Sequence, residues 1–213
     1  MSLSALELPL LPRDDVLLFP GTTVSIRVTN TPARTLFEDA LRGGWRIGLA
    51  LRATSPADAL GVHAVGCAGE IRRRERLTTG TWRVVVRGVH RFRIRAHPHR
   101  EGAYCRALVQ ILYEAPVLAH EMRPLRDRIR AALEDYERAM GVERSMAGRM
   151  FSKLDVEGLV NHLCIRLPWS PLEKQRLLEC ATLEARCHDL VALIHHRAAE
   201  KRLGLEGRRG ADT

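Results

Sequence analysis

Residues 8–21 read Leu-Pro-Leu-Leu-Pro-Arg-Asp-Asp-Val-Leu-Leu-Phe-Pro-Gly, and this stretch decides how the fold begins. Each of its three prolines fixes φ and removes a backbone donor, so none is expected in the middle of a central strand. Gly21 follows Pro20 and marks a turn. The stretch therefore predicts a short strand, a rigid jog at 12–14, a second short strand at 16–19 and then the turn.

The rest of the first half predicts more strands. The segment 24–28 alternates apolar and polar residues, as a half-buried strand does. A short helix with Thr31 as its N-cap and Pro32 at its first position follows, and it ends at 43–44. Segments 62–77 and 81–95 predict a hairpin across 78–80, after a loop at 53–61, and 104–113 predicts a further strand. Regular strands with short turns are typical of a closed or nearly closed antiparallel sheet.

The hydrophobic period changes near Pro116, and the second half predicts helices. Apolar residues step by three and four over 122–140, with Gly141 as a C-terminal stop. Another helix is expected to begin at 146–151, and a third to run from 156 to 167. A capping box at Ser170 and Glu173 starts the fourth, and Thr182 caps the last. The sequence thus predicts an α+β fold, with a β-rich subdomain at 1–115, a helical subdomain at 116–202 and a flexible basic tail at 203–213.

Composition limits the class of protein. The chain has 213 residues, 46% of them hydrophobic. No apolar run approaches the length of a membrane-spanning helix, and the N-terminus lacks the basic and apolar regions of a secretory signal. The five cysteines are an odd number without a Cys-x-x-Cys spacing. We therefore expect a cytoplasmic protein with free thiols.

Positive charge is concentrated in the first half. Residues 1–115 contain 17 arginines and 10 carboxylates, a net charge of +7 out of +9 for the chain. Strand alternation predicts that arginines of the hairpin share one sheet face, which would suit an anionic partner such as nucleic acid or an acidic protein segment. A merely solvated face in an arginine-rich chain is the favoured interpretation. The candidate residues are Arg72, Arg74, Arg76, Arg91 and Arg93.

Residues with recognisable catalytic spacing are not found. A phosphate-binding loop needs Gly-Lys-Ser/Thr, and none of the three lysines (Lys153, Lys174 and Lys201) stands in that context. We expect all three to be solvated surface residues, and therefore no Ser–Lys protease dyad. The histidines lack metal-ligand spacing. The sequence predicts no catalytic, metal or cofactor site, although residues distant in sequence can still assemble one.

Three segments carry a family resemblance. The first is the opening stretch 8–21. The second reads Val-Gly-Cys-Ala-Gly-Glu-Ile at 65–71, Thr-Gly-Thr at 79–81 and Val-Val-Val-Arg-Gly-Val-His-Arg-Phe-Arg-Ile at 84–94. The third reads Leu-Pro-Trp-Ser at 167–170, Glu-Lys-Gln at 173–175 and Leu-Leu-Glu at 177–179. In this order, over about residues 8–200, they resemble the N-terminal domain of Lon proteases.

The resemblance implies a β-rich, PUA-like pseudo-barrel followed by a helical bundle. It also implies a part in recognising protein substrates, which is not the catalytic part of Lon. The AAA+ and protease modules of Lon do not follow in this sequence, so we expect a stand-alone protein that binds polypeptide segments or a partner protein. Trp169 is a candidate rim residue of a peptide groove, with burial between helices as the alternative. A nucleic-acid-binding module that uses the arginine face is the second hypothesis. We expect no membrane partner.

Overall fold

The computed structural model describes residues 5–44, 46–54, 61–77, 81–96, 99–114, 119–142 and 150–204. The chain divides into two compact units. The first unit contains residues 1–113 and 161–179, and the second contains 114–160 and 180–213. The predicted turn at 78–80, most of the loop at 53–61, the start of a helix at 146 and the tail from 205 lie outside the described residues.

One mixed sheet forms the frame of the first unit. Its strands are β1 Ala5–Arg13, β2 Thr23–Val28, β3 Arg46–Leu51, β4 Val65–Arg76, β5 Trp82–Ile94, β6 His99–Glu101 and β7 Tyr104–Leu112. The strand order is β2-β5-β4-β3-β1-β7-β6, with an additional pairing of β5 with β7. That pairing closes β5, β4, β3, β1 and β7 into a five-stranded barrel. Among the named strands, all described pairings are antiparallel except that of β1 with β3.

The first strand tolerates two prolines because it changes partners along its length. Residues 5–10 pair with β7 and residues 10–13 pair with β3. Pro9 therefore has a neighbouring strand only on the β7 side, and Pro12 has one only on the β3 side. Each proline therefore occupies a local edge, the position in a sheet that tolerates a residue without an N–H. The chain bends at 14–15, just after β1 ends, so the predicted jog at 12–14 is displaced by about one residue. The predicted second strand at 16–19 is wrong, whereas the turn at Gly21, with φ +75°, is confirmed.

A bulge in β5 lets this strand serve two hydrophobic cores. Gly88 and His90 pair with the consecutive residues Gly69 and Ala68, so Val89 is an extra residue in the ladder. One extra residue reverses the alternation of side chains. Accordingly, Val84 and Val86 pack in the core beneath the first helix. Phe92 and Ile94 pack in the barrel interior.

Two glycines leave room for the aromatic ring that fills the barrel. A Cβ atom on Gly66 would lie 2.5 Å from the Phe92 ring and would also contact the Leu49 carbonyl oxygen. A Cβ atom on Gly48 would lie 3.1 Å from the same ring. Phe92 is fully buried. Phe92 is the largest side chain of the buried cluster in the barrel interior, and it packs against two positions without side chains.

The helices are α1 Thr31–Arg42, α2 Ala119–Met140, α3 Val156–Arg166, α4 Pro171–Glu179 and α5 Leu183–Arg202. The capping box of α4 is confirmed, because the Ser170 N–H donates to Glu173 Oε2 (2.8 Å) and the Glu173 N–H donates to Ser170 Oγ (3.3 Å). Thr182 caps α5 as predicted. The N-cap of α1 is Asn30 and not Thr31, because Asn30 Oδ1 accepts from the Ala33 N–H at 2.9 Å. Of the described helices, none has the length and apolarity that crossing a bilayer requires.

A helical segment at 161–179 belongs to the first unit, where side-chain amides bind it to the strands. Asn161 Nδ2 donates to the Pro20 carbonyl (3.1 Å), and Gln175 Nε2 donates to the Val65 carbonyl (3.0 Å). Asn161 and Gln175 are both buried. The sequence-based boundary at residue 115 remains a prediction about domains. The division into compact units differs from it because these buried amides join 161–179 to the barrel.

The second unit is built around α2 and α5. Ile129 and Leu133 on α2 and Leu190 and Ile194 on α5 are fully buried. The Arg186 side chain is fully buried, and its guanidinium contacts Glu114 Oε1 at 2.6 Å. With the strands of the first unit, these helices confirm the predicted α+β class.

We expect Gly66→Ala to destabilise the protein by about 1–3 kcal/mol, since the new methyl group would meet both backbone and the Phe92 ring. Gly48→Ala is the matched control, with a smaller expected cost of about 1 kcal/mol, because the nearest atoms to its methyl group belong to side chains at 3.1–3.4 Å and need to move by only a few tenths of an ångström. Urea unfolding monitored by circular dichroism measures both. Equal costs for the two variants would contradict the packing described for the barrel.

Candidate functional site

One end of the barrel opens into a pocket of about 280 Å³. Apolar residues line it from four strands of the closed ring: Leu6 and Leu8 on β1, Ala68 on β4, Val89 on β5 and Ile111 on β7. Arg46 adds the fifth strand, β3. All five strands of the ring therefore meet at this opening, which we call the barrel mouth.

Polar and aromatic groups stand at the barrel mouth. Tyr113 directly follows β7 and is 77% exposed. Its ring meets the His90 ring edge to face, with 5.5 Å between centroids. Arg46 and His90 are also exposed. The mouth thus combines an apolar floor with an exposed phenol, an imidazole and a guanidinium.

Sequence reasoning missed the barrel mouth because of the bulge at Val89. Strict alternation through β5 places His90 on the same face as Val84 and Val86. The extra residue instead places His90 with Phe92, on the side of the barrel interior. Gly88 and Val89 are the only local signal, since a glycine inside a strand pattern indicates a bulge or a close backbone approach.

The predicted arginine face does not include Arg91. This side chain is 2% exposed, and its guanidinium donates to the Leu178 carbonyl oxygen at 2.8 Å. Leu178 lies in the last turn of α4, where free carbonyls and the helix dipole attract a cation. Arg91 thus caps α4, and the covering helix is the physical reason for the correction.

The other four candidate arginines are exposed and lie in different settings. Arg72 is the extra residue of a second bulge, in β4, and contacts Glu70 at 3.2 Å. Arg74 stacks on the Trp82 ring at 4.2 Å, and Arg76 pairs with Trp82 across the ladder. Arg93 pairs with Val65 at the far end of the hairpin. Whether any of them binds a partner stays a prediction.

Trp169 is 4% exposed, which agrees with the alternative of burial and not with an exposed groove rim. It follows Pro168 between α3 and α4, and its backbone N–H donates to the Leu167 carbonyl at 2.8 Å. Its indole is therefore buried. It is not offered to a ligand at the surface.

Lys174 differs from the predicted solvated lysine. It is half-buried, and its ammonium donates to the Ile165 carbonyl oxygen at 3.2 Å. Burial lowers the pKa of this group. The acceptor at Lys174 is a backbone carbonyl and not a serine hydroxyl. Lys153 and Lys201 are exposed, as expected.

The thiols are free, and three of the five are buried. Burial raises the pKa of the Cys187 thiol to about 11, so this cysteine is protonated near neutral pH. Within the described ranges, no group of three or more histidine, cysteine, aspartate or glutamate side chains has the arrangement that holds a metal ion.

The class of the protein follows from the fold: a closed five-stranded barrel that carries a helical segment and continues into further helices. A family model, described as the ATP-dependent protease La (LON) substrate-binding domain, matches residues 7–196. The chain belongs to this family. The family resemblance found in the sequence is therefore confirmed.

The chain is similar to part of several Lon proteases. Lon protease of Syntrophomonas wolfei is 28% identical over 198 residues, which cover 88% of this chain and 24% of that protein. Lon protease 1 of Thermus thermophilus is 26% identical over 196 residues, which cover 89% of this chain and 24% of that protein. The chain thus spans about a quarter of the length of these relatives.

Solved structures agree on the fold. A Lon N-terminal domain protein from Xanthomonas campestris superposes with a TM-score of 0.66 at 24% identity, covering 88% of this chain and 98% of that one. The N-terminal domain of Lon protease from the Mycobacterium avium complex gives a TM-score of 0.72 at 21% identity, covering 89% of this chain and 98% of that one.

Arg91→Met tests the capping role of Arg91. We expect it to lower the free energy of unfolding by about 1–3 kcal/mol, because the buried Leu178 carbonyl would be left without its charged donor. Arg93→Met, on an exposed neighbour in the same strand, is the matched control and should stay within about 0.5 kcal/mol of the parent. Guanidinium unfolding of the three proteins provides the measurement. Equal stabilities of the two variants would contradict the cap.

Proposed function

We propose that this protein is a non-catalytic module that binds polypeptide segments, and that the barrel mouth receives one apolar side chain of the bound segment. The observation that carries the proposal is an apolar pocket assembled from all five strands of the ring, with Tyr113 exposed above it. The family supports it, because its model describes a substrate-binding domain.

The size and lining of the mouth favour a side chain over a cofactor. Its volume of about 280 Å³ lies just below the range of small-molecule pockets, roughly 300–1,000 Å³. Binding energy at protein interfaces concentrates on a few aromatic and arginine residues beside well-packed pockets. Tyr113 and Arg46 occupy such positions at the mouth. A single aliphatic or aromatic side chain from an extended chain fits this arrangement.

Tyr113→Ser tests the barrel mouth. We expect affinity for a fluorescein-labelled extended peptide with one central phenylalanine to fall about fivefold or more, since the phenol would no longer cover the bound side chain. Fluorescence polarisation measures the affinity. Leu203→Ser is the matched control, because Leu203 is 72% exposed and follows α5 in the second unit, whereas the residues that line the mouth belong to the first unit. The affinity of this variant should stay unchanged.

A second peptide separates pocket binding from general stickiness. In it, serine replaces the central phenylalanine, and we expect it to bind more weakly than the parent peptide. Two results would reject the barrel mouth as the site: equal affinities of the two peptides for the parent protein, or equal losses in Tyr113→Ser and Leu203→Ser.

Nucleic acid binding is the second candidate, and one cluster favours it. The guanidinium groups of Arg74 and Arg34 lie over the Trp82 ring at 4.2 and 5.6 Å. Arginine beside an aromatic ring is a recurrent arrangement in single-strand binding. Arg76 adds a further exposed charge on the strand that carries Arg74.

Arg74→Gln/Arg76→Gln tests this candidate against single-stranded RNA in a mobility-shift titration. If the cluster binds phosphate, affinity falls steeply with salt in the parent protein. The double variant should then have a shallower salt slope, by about 0.7 for each phosphate that it no longer neutralises. Absence of binding at low salt would eliminate the candidate.

A further inference from the structure

We infer that the protein selects polypeptide segments in which acidic residues flank the apolar anchor, and that a set of arginines beside the barrel mouth reads those acidic residues. This inference rests on the proposed function, because the mouth holds the anchor. The arginines lie on what we call the distal face, the solvent-exposed side of β2, β5 and β4 beyond the bulge. Its residues are Thr23, Ser25, Arg27, Glu70, Arg73, Glu75, Arg83, Val85 and Arg87.

The distal face lies on the same side of the sheet as the barrel interior. Ala68, which lines the mouth, and Glu70 are two residues apart in an unbulged part of β4, so they face the same side. Glu70 pairs with Arg87 across the ladder, so Arg87 faces that side as well. The mouth therefore continues onto the distal face without a change of side.

Ladder pairing places the other arginines around Arg87. Val85 and Arg83 follow at intervals of two along β5, and Arg73 pairs with Val85. Arg27 pairs with Arg83 from β2. The opposite side of these strands carries Ile26, Val84 and Val86, which are buried under α1. The distal face is thus the open side of a three-stranded sheet.

Positive charge exceeds negative charge on the distal face. Arg83 contacts Glu75 at 3.9 Å, and Glu70 contacts Arg72 at 3.2 Å. Arg27, Arg73 and Arg87 make no ion pair within the described part of the chain, and all three are exposed. These guanidinium groups can therefore bind carboxylates of a polypeptide segment without first giving up an internal partner.

Strand spacing sets the distance at which the acidic residues should stand. Two residues of a strand span about 7 Å along its axis. This is the step along β4 from Ala68, which lines the mouth, to Glu70, whose ladder partner is Arg87. Arg83 lies four residues further along β5, about 13 Å away. An extended peptide has nearly the same rise per residue. Its acidic side chains should therefore stand two to six positions from the anchor.

The distal face suits an acidic polypeptide better than a nucleic acid. Its side chains are arginine, glutamate, threonine, serine and valine, with no aromatic ring among the described residues on which a base could stack. Trp82, at the start of β5, packs against the core on the opposite side. Glu70 and Glu75 also interrupt the positive charge that a continuous phosphate backbone would follow.

Labelled peptides of one length test the inference. Each has a central phenylalanine and either four glutamates, four glutamines or four lysines, at two and four positions on both sides of it. We expect the glutamate peptide to bind about three- to tenfold tighter than the glutamine peptide at low salt, and the lysine peptide to bind weakest. The preference should shrink as salt rises.

Arg73→Gln/Arg87→Gln should remove the preference, so that the glutamate and glutamine peptides bind within about twofold of each other. Arg74→Gln/Arg76→Gln is the matched control, because it removes the same charge from the opposite side of the hairpin and should keep the preference. Thermal unfolding of both variants checks that the fold is intact.

The outcomes separate this inference from the proposed function. Binding of the glutamine peptide without a gain for the glutamate peptide overturns the inference and leaves the barrel mouth supported. Weak binding of all phenylalanine peptides overturns both. If single-stranded RNA binds more tightly than the glutamate peptide and binds weakly to Arg73→Gln/Arg87→Gln, the distal face is a nucleic-acid surface and the inference is wrong.

Discussion

The extra residue in β5 is the constraint on which the rest of the first unit depends. If Val89 had its own ladder partner in regular alternation, Val86 and Phe92 would face the same side of the sheet, and one of the two cores would receive no side chains from β5. With the bulge, the strand packs under α1 in its first half and into the barrel in its second. Because the bulge reverses the alternation, the solvent-exposed side of the first half of β5 continues into the barrel interior in its second half. The exposed arginine face and the apolar pocket therefore lie side by side on one side of the sheet.

The opening stretch of the sequence holds this bulge in place. Gly21 N–H donates to the Gly88 carbonyl (3.0 Å), and Gly88 N–H donates to the Thr22 carbonyl (2.9 Å). A Cβ atom on Gly88 would collide with the Phe19 carbonyl oxygen, so only glycine permits this approach. The Pro20 carbonyl in the same turn accepts from Asn161. The turn after Phe19 therefore connects the bulge to the helical segment as well as to the sheet.

Sequence patterns predicted what depends on local chemistry. The capping box at Ser170, the stop at Gly141 and the pairing of 65–76 with 82–94 all arise from residues close in sequence, and all are present. Features that depend on distant partners were not accessible in the same way. Pro9 and Pro12 lie within β1 because two different strands pair with its two halves, and Arg91 is buried because α4 covers it. No local signal distinguishes Arg91 from the exposed Arg93.

Arginine therefore has several structural roles in one hairpin, and net charge alone does not identify a binding surface. Arg91 supplies a helix with a C-terminal cation, and Arg74 stacks on an indole ring. Both uses consume the guanidinium within the fold. Arg73 and Arg87 differ in having no ion-pair partner among the described residues and in facing the side that leads to the barrel mouth. An arginine without an internal ion pair, placed beside an apolar pocket, is therefore a better criterion for a recognition surface than net charge. Removing such a guanidinium from water costs free energy, and this cost is offset only when a partner supplies the opposite charge.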